Sequence, residues 1–260
     1  MIKKILNRVV WVLLFVGVMA LMVWSNIEHS NSACTNLVVN MKKTDYPVLI
    51  SSETIRTNIL EELPALIGQS TKNVEIEKLE KHIILNSKLS NAKAYMNLNG
   101  TLNLNVKPRK AIMRIFDNKG INQYLGEEGV LMETSSKHTQ RIIVASGHIK
   151  HLTKEQKSKV LRKEMELPEI YSQLYAFAQI IHEDEFLESL IDQIYVTKNK
   201  EIELTPKVGV KKIYLGKAIN MEEKLANLKV FYIDGSKKID WQKYKSISIK
   251  FRNQIVCSKK

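Results

Sequence analysis

Residues 92–106 read AKAYMNLNGTLNLNV, and this stretch decides how the middle of the chain folds. Apolar residues occupy every second position on both sides of Asn99-Gly100, namely Ala92, Ala94 and Met96 before it and Leu102, Leu104 and Val106 after it. A period of two places such side chains on one face of each strand, and Asn and Gly tolerate the positive φ of a tight turn. The stretch therefore predicts a β-hairpin.

The residues before the hairpin predict one strand and two helices. Residues 36–41, NLVVNM, predict the strand. Ser51 and Ser52 are candidate N-caps of a first helix, which Pro64 ends, and Asn73 is a candidate N-cap of a second helix. Together with the hairpin, these elements predict a β-α-α-β-β domain over residues 36–108.

The residues after Pro108 predict a β-rich domain over residues 109–258. Its elements are expected as strands at 110–116, 121–125, 129–133, 141–146, 193–197, 200–205, 211–215 and 246–256, with helices at 169–182 and 221–232. Residues 126–129, GEEG, predict a tight turn, and the Lys-rich residues 149–167 predict a loop or a loosely held helix. The expected fold class is α+β, with mostly antiparallel strands and added helices in this domain.

The N-terminal region predicts a membrane anchor. Residues 9–24, VVWVLLFVGVMALMVW, carry no charge and span roughly 24 Å as a helix. Extending the segment to residues 9–27 predicts one transmembrane helix. Since Lys3, Lys4 and Arg8 precede it, residues 1–8 are expected to be a cytoplasmic tail and the remainder to be exported. A cleaved signal peptide and lipidation at Cys34 are the competing interpretations.

Charge and cysteine content narrow the classes of partner. The net charge is +13, but the basic residues are dispersed, and no Lys/Arg block with interleaved aromatics suggests a nucleic-acid groove. Anionic lipid headgroups, cell-wall polymers or an acidic protein face fit better, beside the alternative of a solvated Lys-rich surface. Cys34 and Cys257 are the two cysteines, and an exported compartment would permit one bond between them without the sequence showing that they meet.

The sequence offers no catalytic, cofactor or metal motif. It lacks the nucleophile elbow, the HExxH zinc motif, the phosphate-binding loop and a cysteine pair at zinc spacing. His148 with His151, and the acidic cluster at residues 182–185, are candidate metal ligands, but a solvated loop and a capped helix end are the preferred explanations. Glu127-Glu128 are expected to be exposed turn residues. We therefore expect no catalytic residue, no metal site, no cofactor and no small-molecule substrate.

The last predicted strand, residues 246–256, is the candidate partner-binding element. Ile247, Ile249 and Phe251 alternate in it with Ser248, Lys250 and Arg252, which predicts a half-buried strand at either an edge or a central position of a sheet. Trp241 and Tyr244 precede it and are candidates either for the core or for a partner contact.

Several segments resemble one known family. They lie in a fixed order along the chain: LNLNVKPRKA at 102–111, NQYL at 122–125, GVL at 129–131, ELTPKVG at 203–209, IYLG at 213–216 and NQIV at 253–256. Their order and spacing, together with the apolar N-terminal segment, resemble the bacterial cell-division family FtsQ/DivIB. No single segment is specific to that family.

The resemblance implies a fold and a function. The first exported domain would be a POTRA domain and the second the β domain of a non-catalytic division scaffold. Such a protein lies in the cell inner membrane at the septum, with its C-terminal domains in the periplasm. It binds the small bitopic proteins FtsB and FtsL and helps to control septal peptidoglycan synthesis. The family's partner surface corresponds here to residues 241–256, with Trp241, Tyr244, Ile247, Ile249, Lys250, Phe251 and Arg252 as the expected contact residues.

Two departures and two alternatives accompany this resemblance. The cytoplasmic tail is short, and the predicted helical insertion at residues 169–190 could alter the family's binding surface. A POTRA-containing secretion or assembly factor would need a long series of barrel strands after the POTRA domain. A membrane-anchored wall hydrolase would need an acid pair or a metal site.

Overall fold

A computed structural model describes residues 10–22, 33–135, 138–235, 240–252 and 254–260. Residues 10–22 form a helix, α1, with large apolar side chains exposed along its length. Within the described ranges, no helix combines the length and the apolar character needed to cross a bilayer. The predicted transmembrane segment, residues 9–27, extends beyond the described residues at both ends.

The chain divides into two compact units. The first comprises Met1–Lys43 and Ser51–Lys107, and the second comprises Thr44–Ile50 and Pro108–Lys260. The predicted domain bounds, 36–108 and 109–258, remain a prediction. Both units mix helices and strands, so the predicted α+β class is confirmed.

Among its described residues, the first unit contains a three-stranded mixed sheet and two helices besides α1. Its elements are β1 (Asn36–Met41), α2 (Ser52–Glu62), α3 (Ile76–Ile84), β2 (Leu89–Met96) and β3 (Thr101–Pro108). The strand order is β1-β3-β2, and β1 runs parallel to β3. The predicted hairpin joins β2 to β3, with Gly100 at a φ of +77° where a side chain would be strained. This order confirms the predicted β-α-α-β-β sequence of elements, while the POTRA assignment remains a prediction.

The N-cap predictions for the two helices α2 and α3 have different outcomes. The Ser51 hydroxyl accepts a hydrogen bond from the Thr54 N–H at 3.2 Å, as its predicted N-cap position requires. The prediction of Asn73 as the second N-cap is wrong, because Asn73 lies in a short 3-10 turn and α3 begins after Glu75. Val74, between them, is buried with an extended backbone, which delays the start of the helix.

Over its described residues, the second unit contains a nine-stranded mixed sheet and four α-helices. The strands are β4 (Ala111–Phe116), β5 (Asn122–Gly126), β6 (Leu131–Glu133), β7 (Val144–Gly147), β8 (Ile191–Val196), β9 (Ile202–Pro206), β10 (Lys212–Gly216), β11 (Tyr244–Ser248) and β12 (Val256–Lys259). The helices are α4 (Lys154–Leu161), α5 (Glu169–Glu183), α6 (Glu185–Leu190) and α7 (Met221–Val230). The sheet order is β12-β11-β10-β9-β8-β7-β4-β5-β6.

The sheet is more mixed than the sequence predicts. Parallel pairing occurs between β4 and β7, between β7 and β8 and between β10 and β11, while the other neighbours are antiparallel. Alternate side chains of the strands join those of α5, α6 and α7 in one buried cluster, which includes Phe177, Leu190 and Leu228. Cys257 of β12 also packs against this cluster.

In this unit, the structure differs from two of the predicted elements. Residues 246–256 do not form one strand, because β11 ends at Ser248 and a separate strand, β12, begins at Val256. The Lys-rich segment at 149–167 contains a regular helix, α4, which begins with a capping box between Thr153 and Gln156. The predicted turn at Gly126–Gly129 is confirmed, with the Gly129 N–H donating to the Gly126 carbonyl at 2.9 Å.

Candidate partner-binding site

The nine-stranded sheet has an open edge at β12. Strand β11 lies inside the sheet, because it pairs in parallel with β10 and antiparallel with β12. Strand β12 is the terminal strand of the described sheet, so its other side faces no strand. An exposed strand edge offers backbone N–H and C=O groups to a strand from another chain. The last described residues therefore form a template for strand pairing.

The backbone groups of β12 can be assigned to its two sides. The Lys260 N–H donates to the Lys243 carbonyl at 3.1 Å, on the β11 side. Successive residues of a strand direct their N–H groups to opposite sides, so the N–H of Lys259 faces the open side. The side chains of Val256, Ser258 and Lys259 are exposed, whereas that of Cys257 is half-buried against the core. The open edge thus presents an N–H group that could donate a hydrogen bond to a carbonyl of the partner.

Residues 249–252 leave the sheet after β11 and are fixed by three contacts. The Ile249 N–H donates to the Tyr214 carbonyl at 2.9 Å. The Lys250 Nζ lies 2.7 Å from Glu201 Oε2, before β9, and the Arg252 Nε lies 3.3 Å from Glu223 Oε1, on α7. These contacts hold the connection between β11 and β12 against the rest of the unit.

A groove of about 340 Å³ lies between this connection and the start of α7. Ile219, Lys224, Phe251 and Ile255 are among its lining residues. The Lys224 Nζ donates to the carbonyls of Leu215 and Lys217, both at 3.0 Å, and burial lowers the pKa of its ammonium group. Ile219 and Phe251 are each 60% exposed, so the groove carries apolar rims.

The sequence of this unit matches a known family. Residues 110–258, from just before β4 into β12, match the family described as FtsQ/DivIB, C-terminal related. The matched region is more than half of the chain. The chain belongs to this FtsQ/DivIB-related family. Its second unit is therefore a domain related to the C-terminal region of FtsQ/DivIB, which indicates a cell-division-related protein. Comparison with the curated proteins gave no match.

In this FtsQ/DivIB-related domain, the expected contact residues separate into three groups. Ile247 and Ile249 are 0% and 2% exposed and belong to the buried cluster. Lys250, Phe251 and Arg252 are exposed and line the groove, where Ile249 also contributes. The prediction that Phe251 lies in the same strand as the two isoleucines is wrong, because that strand, β11, ends at Ser248. The third group consists of the aromatic residues Trp241 and Tyr244.

Trp241 and Tyr244 are half-buried and pack against the core. The Trp241 ring stacks on that of Tyr232 with 4.9 Å between centroids, and it meets the ring of Phe231 edge-on at 6.0 Å. Burial raises the pKa of Tyr232 to about 12. Neither Trp241 nor Tyr244 lines the groove, so the structure places both in the packing of the core and not among the groove residues.

The structure adds residues that sequence reasoning missed. Ile219 and Lys224 line the groove, and Val256 is a 44% exposed apolar residue on the open strand. An exposed Ile between Ala218 and Asn220 carries no periodic signal, and Lys224 resembles any solvated helix lysine in the sequence. Only the fold brings them beside the β11–β12 connection.

The other candidate ligands do not converge on a site. His151 Nδ1 lies 2.6 Å from Asp117 Oδ2, whereas the exposed His148 meets the ring of Tyr195 edge-on at 6.5 Å. Among the described residues, no group of three or more His, Cys, Asp or Glu side chains is arranged to hold a metal ion. Cys34 and Cys257 are both free thiols, and burial raises the pKa of each.

Proposed function

We propose that this protein is a non-enzymatic scaffold of the division complex that captures a bitopic partner such as FtsB or FtsL and helps to coordinate septal peptidoglycan synthesis. The observation that carries the proposal is the open strand β12 at the end of a domain related to the C-terminal region of FtsQ/DivIB. The relation to a non-enzymatic division family favours a scaffold over a wall hydrolase.

Strand addition is the proposed mode of capture. A partner segment would pair with β12 through main-chain hydrogen bonds, while its alternate side chains would set the register. The groove beside the β11–β12 connection would receive further partner residues on its apolar rims at Ile219 and Phe251. Partner capture therefore depends on backbone groups of β12 and on side chains of the connection, rather than on Ile247.

The proposal includes the location of the chain. The apolar helix α1 and the basic residues before it support a single membrane anchor with a cytoplasmic N-terminus. The POTRA and β domains would then lie in the periplasm at the division septum. Protease protection in spheroplasts tests this orientation, and a protected C-terminal part would contradict it.

The decisive experiment targets the open N–H of Lys259. In the full chain, held in detergent micelles, Lys259→Pro removes that donor, and an edge strand accommodates proline. An unpaired carbonyl in the partner costs about 1–3 kcal/mol, so the affinity for the exported segments of FtsB and FtsL should fall at least about fivefold. Lys259→Ala is the matched control, because it removes the same side chain but keeps the N–H.

Any of three outcomes would refute the proposal. Equal affinity of Lys259→Pro and Lys259→Ala would exclude pairing along β12. Failure of the wild-type chain to bind either partner segment would exclude the assignment of partner. Loss of binding in both variants would place the contact in the Lys259 side chain instead of the backbone, which also contradicts strand addition.

A further inference from the structure

A second surface of the FtsQ/DivIB-related domain carries concentrated positive charge. Residues 150–163 contain six basic residues and one acidic residue, Glu155. They comprise the segment that precedes α4, α4 itself and the turn after it. The turn between β4 and β5 adds Lys119. We name as the basic patch the five lysines Lys119, Lys150, Lys154, Lys157 and Lys163.

The charge of the basic patch is not neutralised within its own segment. Glu155 pairs with Lys159 at 2.7 Å, and Glu164 pairs with Arg162 at 2.9 Å. The nearby carboxylate of Asp117 is buried against His151. None of the five patch lysines forms an ion pair within the part of the chain that the structure describes. The patch therefore retains about five positive charges for an external partner.

Hydrogen bonds fix the two segments of the patch to each other. The Asn118 N–H donates to the Ile149 carbonyl at 2.8 Å, and the His151 N–H donates to Asn118 Oδ1 at 3.2 Å. The capping box of Thr153 and Gln156 fixes the start of α4. Since these bonds hold Lys119 beside Lys150, the surface is formed before any partner arrives and loses little conformational freedom on binding.

An apolar side chain accompanies the lysines. Ile121, two residues after Lys119 in the same turn, is 45% exposed. Charge together with an exposed apolar group is what a lipid interface accommodates, because headgroups neutralise the lysines while the apolar group enters the acyl boundary. A soluble anionic polymer would use only the charge. The apolar helix α1 also requires an apolar surrounding, since Trp11, Phe15 and Leu21 are all more than 60% exposed.

We infer that the basic patch with Ile121 is a docking surface for an anionic phospholipid bilayer. It lies on α4 and on the β4–β5 turn, and it shares no residue with the groove beside β12. Lipid contact would therefore orient the domain on the membrane while β12 stays available to a partner. Each lysine near an anionic surface contributes a factor of about five in partitioning.

The test compares partitioning of the full chain into two kinds of vesicle. One kind is pure phosphatidylcholine, and the other contains about 30 mol% phosphatidylglycerol to supply the negative surface potential. Because α1 can enter both kinds, the informative quantity is the ratio of the two partition coefficients. For the wild type, this ratio should exceed about ten at low salt and approach one at about 0.5 M salt.

Three variants test the assignment. The quadruple variant Lys119→Gln, Lys150→Gln, Lys154→Gln and Lys157→Gln should lower the ratio at least about tenfold, and the same four changes to Arg should preserve it. A matched control removes the same charge from four exposed lysines of the first unit, Lys42, Lys43, Lys72 and Lys81, and should keep the wild-type ratio. Ile121→Ser should weaken partitioning into anionic vesicles without changing its salt dependence.

Three results would overturn the inference. The first is a wild-type ratio in the quadruple Gln variant. The second is an equal loss in the matched control, which would show that net charge alone determines partitioning. The third is a wild-type chain that binds soluble polyphosphate through the patch but shows no preference for anionic vesicles, because the partner would then be a polymer.

Discussion

The buried carboxylate of Asp117 provides the sharpest test of the electrostatics in this fold. Its Oδ1 accepts hydrogen bonds from the N–H groups of Lys119 and Ile121 at 2.9 and 3.0 Å, and its Oδ2 lies 2.6 Å from His151 Nδ1. In Asp117→Asn, one oxygen remains for the backbone donors, but an amide group then faces His151. Losing this charge-assisted bond should lower the free energy of unfolding by about 2 kcal/mol at pH 7.

The pH dependence of this loss has a definite sign. Burial raises the pKa of Asp117, but the hydrogen bonds from His151 and the two backbone N–H groups together lower this pKa by a larger amount. The pKa in the folded protein therefore lies below the ordinary value of 3.8. A carboxyl with a lowered folded pKa stabilises the fold above its unfolded pKa, and this stabilisation is lost as pH falls through the folded pKa. The difference between wild type and Asp117→Asn should be complete above about pH 5 and vanish at the lowest pH values.

Urea unfolding followed by circular dichroism, at pH 7 and at pH 3, measures this difference. Asp192→Asn, at an exposed carboxyl on β8, is the matched control and should change the unfolding free energy by less than about 0.5 kcal/mol. His151→Phe should reproduce most of the loss at pH 7, because it removes the same bond from the other side. A loss of equal size at pH 7 and pH 3 would refute the electrostatic argument.

Two further predictions concern backbone strain and buried phenols. Gly147→Ala should destabilise the second unit by more than about 2 kcal/mol in thermal unfolding. Its φ is +106°, and its new Cβ would clash with the Val196 carbonyl oxygen. Gly120→Ala, which has open space around the new Cβ, should cost less, and equal costs would contradict this geometry. Burial raises the pKa of Tyr171 and of Tyr232 to about 12, so ultraviolet titration should show these two phenols ionising last, and Tyr171→Phe should remove one of the late steps. Ionisation of every tyrosine near pH 10 in the folded protein would contradict the burial of both rings.

The features that sequence could predict are those determined by local chemistry. The β2–β3 hairpin follows from Asn99-Gly100 between two alternating runs, and the start of α2 follows from the hydroxyl of Ser51. Both depend on residues within a few positions of one another. The same is true of the turn at Gly126–Gly129.

The features that sequence missed depend on distant partners or on weak local signals. Strand β12 has four residues and no sustained alternation, and its ladder with β11 defines it as a strand. The run of Ile247, Ile249 and Phe251 has a strand period, but the chain turns after Ile249, where the contacts to Tyr214, Glu201 and Glu223 hold it. Helix α4 was predicted only as the alternative to a loop, although Thr153 and Gln156 have the spacing of a capping box.

The register of β12 predicts what a captured strand should look like. Val256 lies opposite Ser248, which lies opposite Tyr214 on β10, so this row belongs to the partly exposed face of the sheet. Cys257 lies opposite Ile247, on the face that packs against the helices. A partner strand beside β12 would continue both rows. On one face, every second side chain of the partner would extend the apolar row of Ile247 and Cys257. On the other face, the intervening side chains would lie beside the exposed row of Val256. Since a shift of one residue exchanges the two faces, the partner should carry apolar residues at every second position. Replacing those positions with lysine should abolish capture, whereas lysine at the intervening positions should be tolerated.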